Sequence, residues 1–367
     1  MRFLGFSDEW REITIGDIAI IEKGNGISKD QLSDEGEECI LYGELYTKYR
    51  SEIINEVYSR TDIDASKLTR SQANDVIIPC SGETAEDIAT ARCVTNNGIL
   101  LGGDLNIIRF DKQDGAFMSY QLNGKRKYDI ARIAQGVSVV HLYPSHLRSV
   151  KIYVPQLEEQ QTIVKLLSLI DERITVQNKI IDKLQSLIKG LRDTLFKGNH
   201  SRYILLGEIA QLYQPKTIAT SELTESGYLV YGANGVIGHY HSYNHEQPQI
   251  CITCRGNTCG QVTLTEPFSW ITGNAMVVNI EANENIDQSY LFHFLSSYNY
   301  TSIISGSGQP QIVRSPLEKI KVPYLEIKEQ KNISRILYSI SSKHELEQTT
   351  LSLILLQKNY LVNQLFI

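Results

Sequence analysis

Along this 367-residue chain the apolar residues obey two spacing rules, and each rule is used twice. Over residues 1–155 they come in Val-, Ile- and Tyr-rich runs of about five, such as Val76-Ile77-Ile78, cut by Gly and Asn; this predicts a β-rich domain with some helix. After Pro155 the period becomes 3.5. Ile163, Leu167, Ile170, Ile174, Gln177, Ile181, Leu184, Ile188, Leu191 and Leu195 follow at alternating steps of four and three, which predicts one long helix over 156–198. Glu158 and Glu159 in its first turn, Lys197 in its last and Gly198 just beyond suit the helix ends, and Gly190 is its one interior flaw, at about 1 kcal/mol. The strand pattern returns over 199–323, and the 3.5 period returns over 324–367 as Ile333, Leu337, Ile340, His344, Glu347, Leu351, Ile354, Lys358, Leu361 and Leu365.

A single helix with such a stripe would hold it against water, so the two stripes are expected to pack on each other. Each helix leaves a different domain, and an antiparallel coiled coil then returns the chain toward its start, with a pseudo-twofold relation between the halves. Three polar entries weaken the second stripe, and Gln177 reads as a register device within the first. The fold class expected is α+β: two similar α/β domains, β-rich, separated by two long α-helices.

The domains repeat in detail, at an offset near 170 residues. Ile15-Gly16-Asp17-Ile18-Ala19 returns as Leu206-Gly207-Glu208-Ile209-Ala210, and Ile40-Leu41-Tyr42-Gly43 as Leu229-Val230-Tyr231-Gly232. Val76–Cys80 with Ser81-Gly82-Glu83-Thr84 matches Ile250–Cys254 with Arg255-Gly256-Asn257-Thr258. Gly103–Asn106 matches Gly273–Met276, and Leu147, Val150 and Lys151 match Leu317, Ile320 and Lys321.

Composition narrows the picture. With 42% hydrophobic and 21% charged residues and apolar runs such as Leu351–Leu356 far too short to cross a bilayer, no membrane span is expected. Arg2, Asp8 and Glu9 interrupt what a secretory signal would need as an apolar stretch, so a cytoplasmic location is expected. Six cysteines in a chain of this size fit reduced thiols better than a disulfide framework. Cys251 and Cys254 have a metal-ligand spacing but lie in what reads as a strand, which points them to opposite faces, so no metal site is expected. The net charge of −6, with 18 basic against 23 acidic groups in residues 1–155, is the opposite of a protein held on DNA by its own phosphate contacts. Either basic groups cluster locally or a partner supplies them.

The runs that close each domain carry a family likeness. Pro155-Gln156-Leu157-Glu158-Glu159-Gln160 and the two-residue-longer Pro323-Tyr324-Leu325-Glu326-Ile327-Lys328-Glu329-Gln330 each open a long helix, and with Tyr231–Gly238, Arg255-Gly256 and Gly308-Gln309-Pro310-Gln311 the chain resembles the specificity subunits of type I restriction-modification enzymes over nearly its whole length. The resemblance implies two target-recognition domains, 1–155 and 199–323, and a non-catalytic subunit that binds double-stranded DNA, two methyltransferase subunits and separate restriction and translocase subunits. It implies no cofactor on this chain, S-adenosylmethionine, ATP and Mg belonging to the partners. In agreement, the sequence has no Asn-Pro-Pro-aromatic motif, no phosphate-binding loop and no Rossmann glycine fingerprint. A helical rod of about 38 residues is about 57 Å long at 1.5 Å per residue, enough to let two domains face grooves about one DNA turn apart, so a bipartite target is expected.

Candidate DNA contacts follow, each with a plainer reading beside it. Arg255 at a strand end could reach O6 and N7 of a guanine, or be a turn arginine paired with a carboxylate. Asn257, Gln309 and Gln311 could pair with adenine edges, or bond their own turns; Arg314 is carried with them. Lys125, Arg126, Lys127 and Arg132 form the densest basic cluster of the first domain, suited to phosphates or simply solvated. His239, His241 and His245 among tyrosines read as a polar aromatic loop, and Gly136-Val137-Ser138-Val139-Val140-His141 lacks the polar pair present at Gln309 and Gln311. Two other functions compete: a protein-binding tether spaced by the coil, which accounts for the acidity, and a hydrolase using His141 or a cysteine, for which no nucleophile, base and orienting group are assembled by motif.

Overall fold

A computed structural model describes residues 3, 5–136, 139–198, 200–306 and 308–366. The chain forms two units, residues 1–178 with 350–367 and residues 179–349.

In the first unit, β1 (Ala19–Lys23), β2 (Ile53–Ile54), β3 (Asp75–Pro79), β4 (Arg92–Val94) and β5 (Leu105–Phe110) form a sheet in the order β1-β5-β3-β4-β2, antiparallel except where β2 joins β4. β3 is buried throughout, with Val76 and Ile78 in one core and Ile77 in another, which is why it reads as a continuous apolar run. Helix α1 (Gly115–Asn123) packs on this sheet and continues through Gly124 into α2 (Arg126–Ile133). Asp114 caps α1 by accepting from the Phe117 N–H at 2.9 Å.

The second unit repeats this plan with one strand fewer: β6 (Gln211–Tyr213), β9 (Ile250–Thr253), β10 (Val262–Leu264) and β11 (Ala275–Asn279), in the order β6-β11-β9-β10. The hairpin β7 (Tyr228–Gly232) and β8 (Gly235–Tyr240), joined by the short strand Trp270–Ile271 parallel to β7, forms a separate three-stranded sheet, and α4 (Gln288–Ser297) takes the place of α1, capped by Asp287. Among the described residues no strand of the second unit's sheet corresponds to β2.

The long helices are α3 (Leu157–Phe196) and α5 (Ile327–Leu365). The first unit takes the start of α3 and the end of α5: Ile163, Leu167, Leu365 and Phe366 share one core, with the Phe366 ring 5.2 Å from Phe117. The second unit takes the other ends: Leu191, Leu195 and Phe196 of α3 join Ile333 and Leu337 of α5, and Phe196 lies 5.4 Å from Tyr290. That exchange of ends is the arrangement of an antiparallel pair. Every position of the two 3.5-period stripes is buried or half-buried. No helix among the described residues is long and apolar enough to cross a membrane.

The closing run has a structural reason. Gln160 and Gln330 are fully buried, and their Oε1 atoms accept the backbone N–H of Asp114 and Asp287, each at 2.9 Å. Their Nε2 groups donate to the carbonyl five residues back, Pro155 and Leu325, each at 2.9 Å. One amide thus ties the first turn of each long helix to the cap of the domain helix. The two extra residues after Pro323 fall ahead of that bond and leave it intact. Gly16 and Gly207 repeat for a comparable reason: a Cβ on either would stand about 3 Å from Arg148 or Glu318.

Candidate nucleic-acid interface

In the second unit β9 ends at Thr253 and the backbone then crosses the 305–312 loop. Ile312 N–H donates to the Cys254 carbonyl at 3.0 Å, Gly256 N–H donates to the Pro310 carbonyl at 2.9 Å, and Arg255 and Gln311 face each other as an isolated bridge. Within the loop Ser305 and Gln311 exchange both backbone hydrogen bonds, at 2.9 and 2.8 Å. Two stretches more than fifty residues apart are thereby held as one surface, and Arg255, Asn257, Gln309 and Gln311 all stand exposed on it. None of these four side chains has a hydrogen-bond or ion-pair partner among the described residues, so no carboxylate neutralises Arg255. Arg314 differs: its Nε donates to Glu318 at 2.7 Å, one turn on in a short helix.

Beneath the loops the cysteines are structural. The Cys254 thiol donates to the Asn274 carbonyl and receives a bond from Gln214, and Cys259 donates to Pro310. Cys251 and Cys254 enter different cores, and burial pushes the Cys251 thiol up to about 12. Among the described residues no group of three or more His, Cys, Asp or Glu stands together as a metal site. His245 is buried, bonded to the Tyr213 hydroxyl at 2.8 Å and Asn244 Oδ1 at 2.6 Å, and its pKa is lowered by desolvation. His239 and His241 lie half-buried and exposed on the same hairpin, Tyr240 packing edge-on to Trp270.

The first unit builds the same crossing. Ser81-Gly82 pairs with Val140-His141, Leu142 N–H donates to the Cys80 carbonyl at 2.8 Å, and Gln135 and His141 exchange backbone bonds at 2.9 and 2.7 Å. His141 therefore occupies the place of Gln311 and Gln135 that of Ser305; Val137 and Ser138 lie outside the described residues. The outward side chains are Gln135, Val139, His141 and Tyr143, with His141 and Tyr143 stacked 6.1 Å apart and Lys23 Nζ 5.9 Å from the Tyr143 ring. Lys23 and Tyr143 were not singled out by the sequence, although the internal repeat marks the segment they flank. The basic cluster lies instead at the start and along α2. Arg126 is paired with Asp129 at 3.1 Å and set over the Tyr153 ring at 5.3 Å, Lys127 is half-buried, and only Lys125 and Arg132 are exposed.

The comparisons with known proteins agree with this duplicated plan. A family model described as "Type I restriction modification DNA specificity domain" matches twice, over residues 7–186 and 202–356. The chain is similar to the type I restriction enzyme MjaVIII specificity subunit of Methanocaldococcus jannaschii, 23% identical over 95% of this chain and 90% of that one. Over 36% of this chain it is 28% identical to the EcoprrI specificity subunit of Escherichia coli, covering 34% of that protein. Its fold is similar to that of the type I restriction-modification S subunit from M. genitalium, with a TM-score of 0.73 and 20% identity over 100% of this chain and 97% of that one. Two matches to one model, one on each repeat, place this chain in the type I restriction modification DNA specificity domain family.

Proposed function

We propose that each crossed-loop surface reads one half of a bipartite DNA target, and that the chain does so, in the cytoplasm, as the non-catalytic subunit of an assembly with two methyltransferase subunits and restriction and translocase subunits. The observation that carries the reading is the unpaired set Arg255, Asn257, Gln309 and Gln311: exposed donors on a braced backbone are what base-edge recognition needs. Lys125 and Arg132 would serve phosphates beside the first surface, and Arg314 would contribute through its helix end. S-adenosylmethionine, ATP and Mg would be held by the partners.

A second observation favours the scaffold role. Leu353, Leu356 and Tyr360 on α5 are 61%, 65% and 58% exposed and recur at helical spacing, an apolar stripe suited to a protein surface. A partner would also explain how a chain of net charge −6 holds DNA. The test is domain exchange: replacing residues 201–322 with those of a relative should change one half of the methylated sequence and leave the other. An unchanged methylated sequence would refute the reading. The tether reading predicts no salt-dependent DNA binding by the chain or by its complex with the methyltransferase.

A further inference from the structure

The repeat breaks where the long helices meet the domain helix. In the first unit Lys358 of α5 is buried and its ammonium lies 2.5 Å from Glu52 and 2.6 Å from Asp171 of α3; Tyr120 OH donates to the same Asp171 at 2.7 Å, and Ser51 Oγ donates to it at 3.1 Å. Burial alone would lower the lysine, but the two carboxylates hold its pKa above the ordinary value. The space is filled by Ser51 and Glu52, which lead into β2, the strand that the second unit lacks.

Matching positions in the second unit follow from the register. Ile188 replaces Lys358 in the stripe, Ser341 stands eight residues past Ile333 as Asp171 stands eight past Ile163, and His293 stands six past Asp287 as Tyr120 stands six past Asp114. With no counterpart of Ser51-Glu52 among the described residues, a groove of about 510 Å³ is left open, lined by Ile188, Arg192, Phe292 and Ser341, with Glu345 and the Lys197–Asp193 ion pair also on its wall. Arg192 is half-buried, its one side-chain bond runs to His293 Nδ1 at 3.0 Å, and its buried Nε has no partner among the described residues. Burial and the Arg192 charge push His293 down to about 4, so the imidazole is neutral near pH 7 and leaves the guanidinium charge uncompensated. An unpaired half-buried cation in a groove whose twin is occupied by a carboxylate calls for an anion.

We propose that this groove docks an extended segment of the methyltransferase subunit that places one Asp or Glu carboxylate on Arg192, as Ser51-Glu52 fills the twin groove from within the chain. This rests on the scaffold role proposed above. The full-length chain and its Arg192→Gln variant would be titrated with purified methyltransferase subunit by calorimetry at two salt concentrations, with melting temperatures measured alongside. Arg192→Gln should weaken assembly by about tenfold or more, Arg192→Lys far less, and Ser341→Trp, which obstructs the groove and spares the arginine, should match the glutamine variant. Equal affinities for wild type, Arg192→Gln and Ser341→Trp would overturn the docking site and leave the scaffold role standing. No assembly even with the wild-type chain would remove the scaffold role and the docking site together. Unchanged assembly with weakened binding of random duplex DNA by Arg192→Gln would make the groove a phosphate contact and also overturn the proposal.

Discussion

The two units are built alike where backbone is held and differ where side chains face outward. Gln160 and Gln330 make the same clamp, Gly16 and Gly207 the same close approach, and Cys80 and Cys254 offer the same carbonyl to the crossing loop. On the surface so braced, one unit shows Arg255, Gln309 and Gln311; the other shows Val139 and His141, with a buried Ser81 in the place of Arg255. The lesson is a division of labour: one frame, built twice, carries two different faces, as the proposed pair of sites with separate sequence preferences would require. Where the long helices meet the domain helix the units differ once more, one holding a buried ion cluster and the other an open groove.

The largest effect should come from breaking the asymmetric element. Lys358→Met would leave Glu52 and Asp171 buried without their cation and should destabilise the first unit by about 3–5 kcal/mol, whereas Ile188→Met at the twin position should cost less than about 1.5 kcal/mol. Denaturant melts of the two variants test this, and equal losses would dissolve the distinction. Next, Gln160→Ala and Gln330→Ala each strand the half-buried N–H of the capping Asp and should each cost about 1–3 kcal/mol. Here the comparison predicts similar numbers, and a large disparity would show that the clamp is not one device used twice.

Arg255→Ala should relax the requirement for bases in one half-site only, at about 1–3 kcal/mol of discrimination, and His141→Ala should act on the other half. Methylation of a library randomised in each half would read both variants. A last effect is a pH dependence that His293 gives the second unit. His293 has a folded pKa of about 4 against 6.5 unfolded, so the unfolded chain takes up the proton first as pH falls. The stability this contributes is whole above pH 6.5 and is lost as pH drops toward 4. His293→Gln should flatten the dependence of melting temperature on pH across that window, and an unchanged slope would remove the imidazole from the account.

Much of the plan was legible in the sequence because it is written in periodicity and repetition: the stripes of α3 and α5, the strand Val76–Pro79, the loops at Arg255 and Gln309. What escaped depends on contacts that no local pattern encodes. Lys358 read as a weak seam position, yet its partner Glu52 lies 306 residues away in sequence. The basic run at Lys125–Lys127 drew attention through density alone, while Arg126 is committed to Asp129 and Tyr153. Lys23 and Tyr143, at the edge of the first surface, belong to separate segments that only the folded sheet brings together.

The exchange of helix ends has a consequence during synthesis. Ile163 and Leu167 of the first unit wait for Leu365 and Phe366 to complete their core, so that core stays incomplete until Phe366 has been made. A nonsense codon shortly before Lys358 would therefore spoil the half of the protein translated first, while the segment from Lys179 to Thr349, already made, keeps its own core.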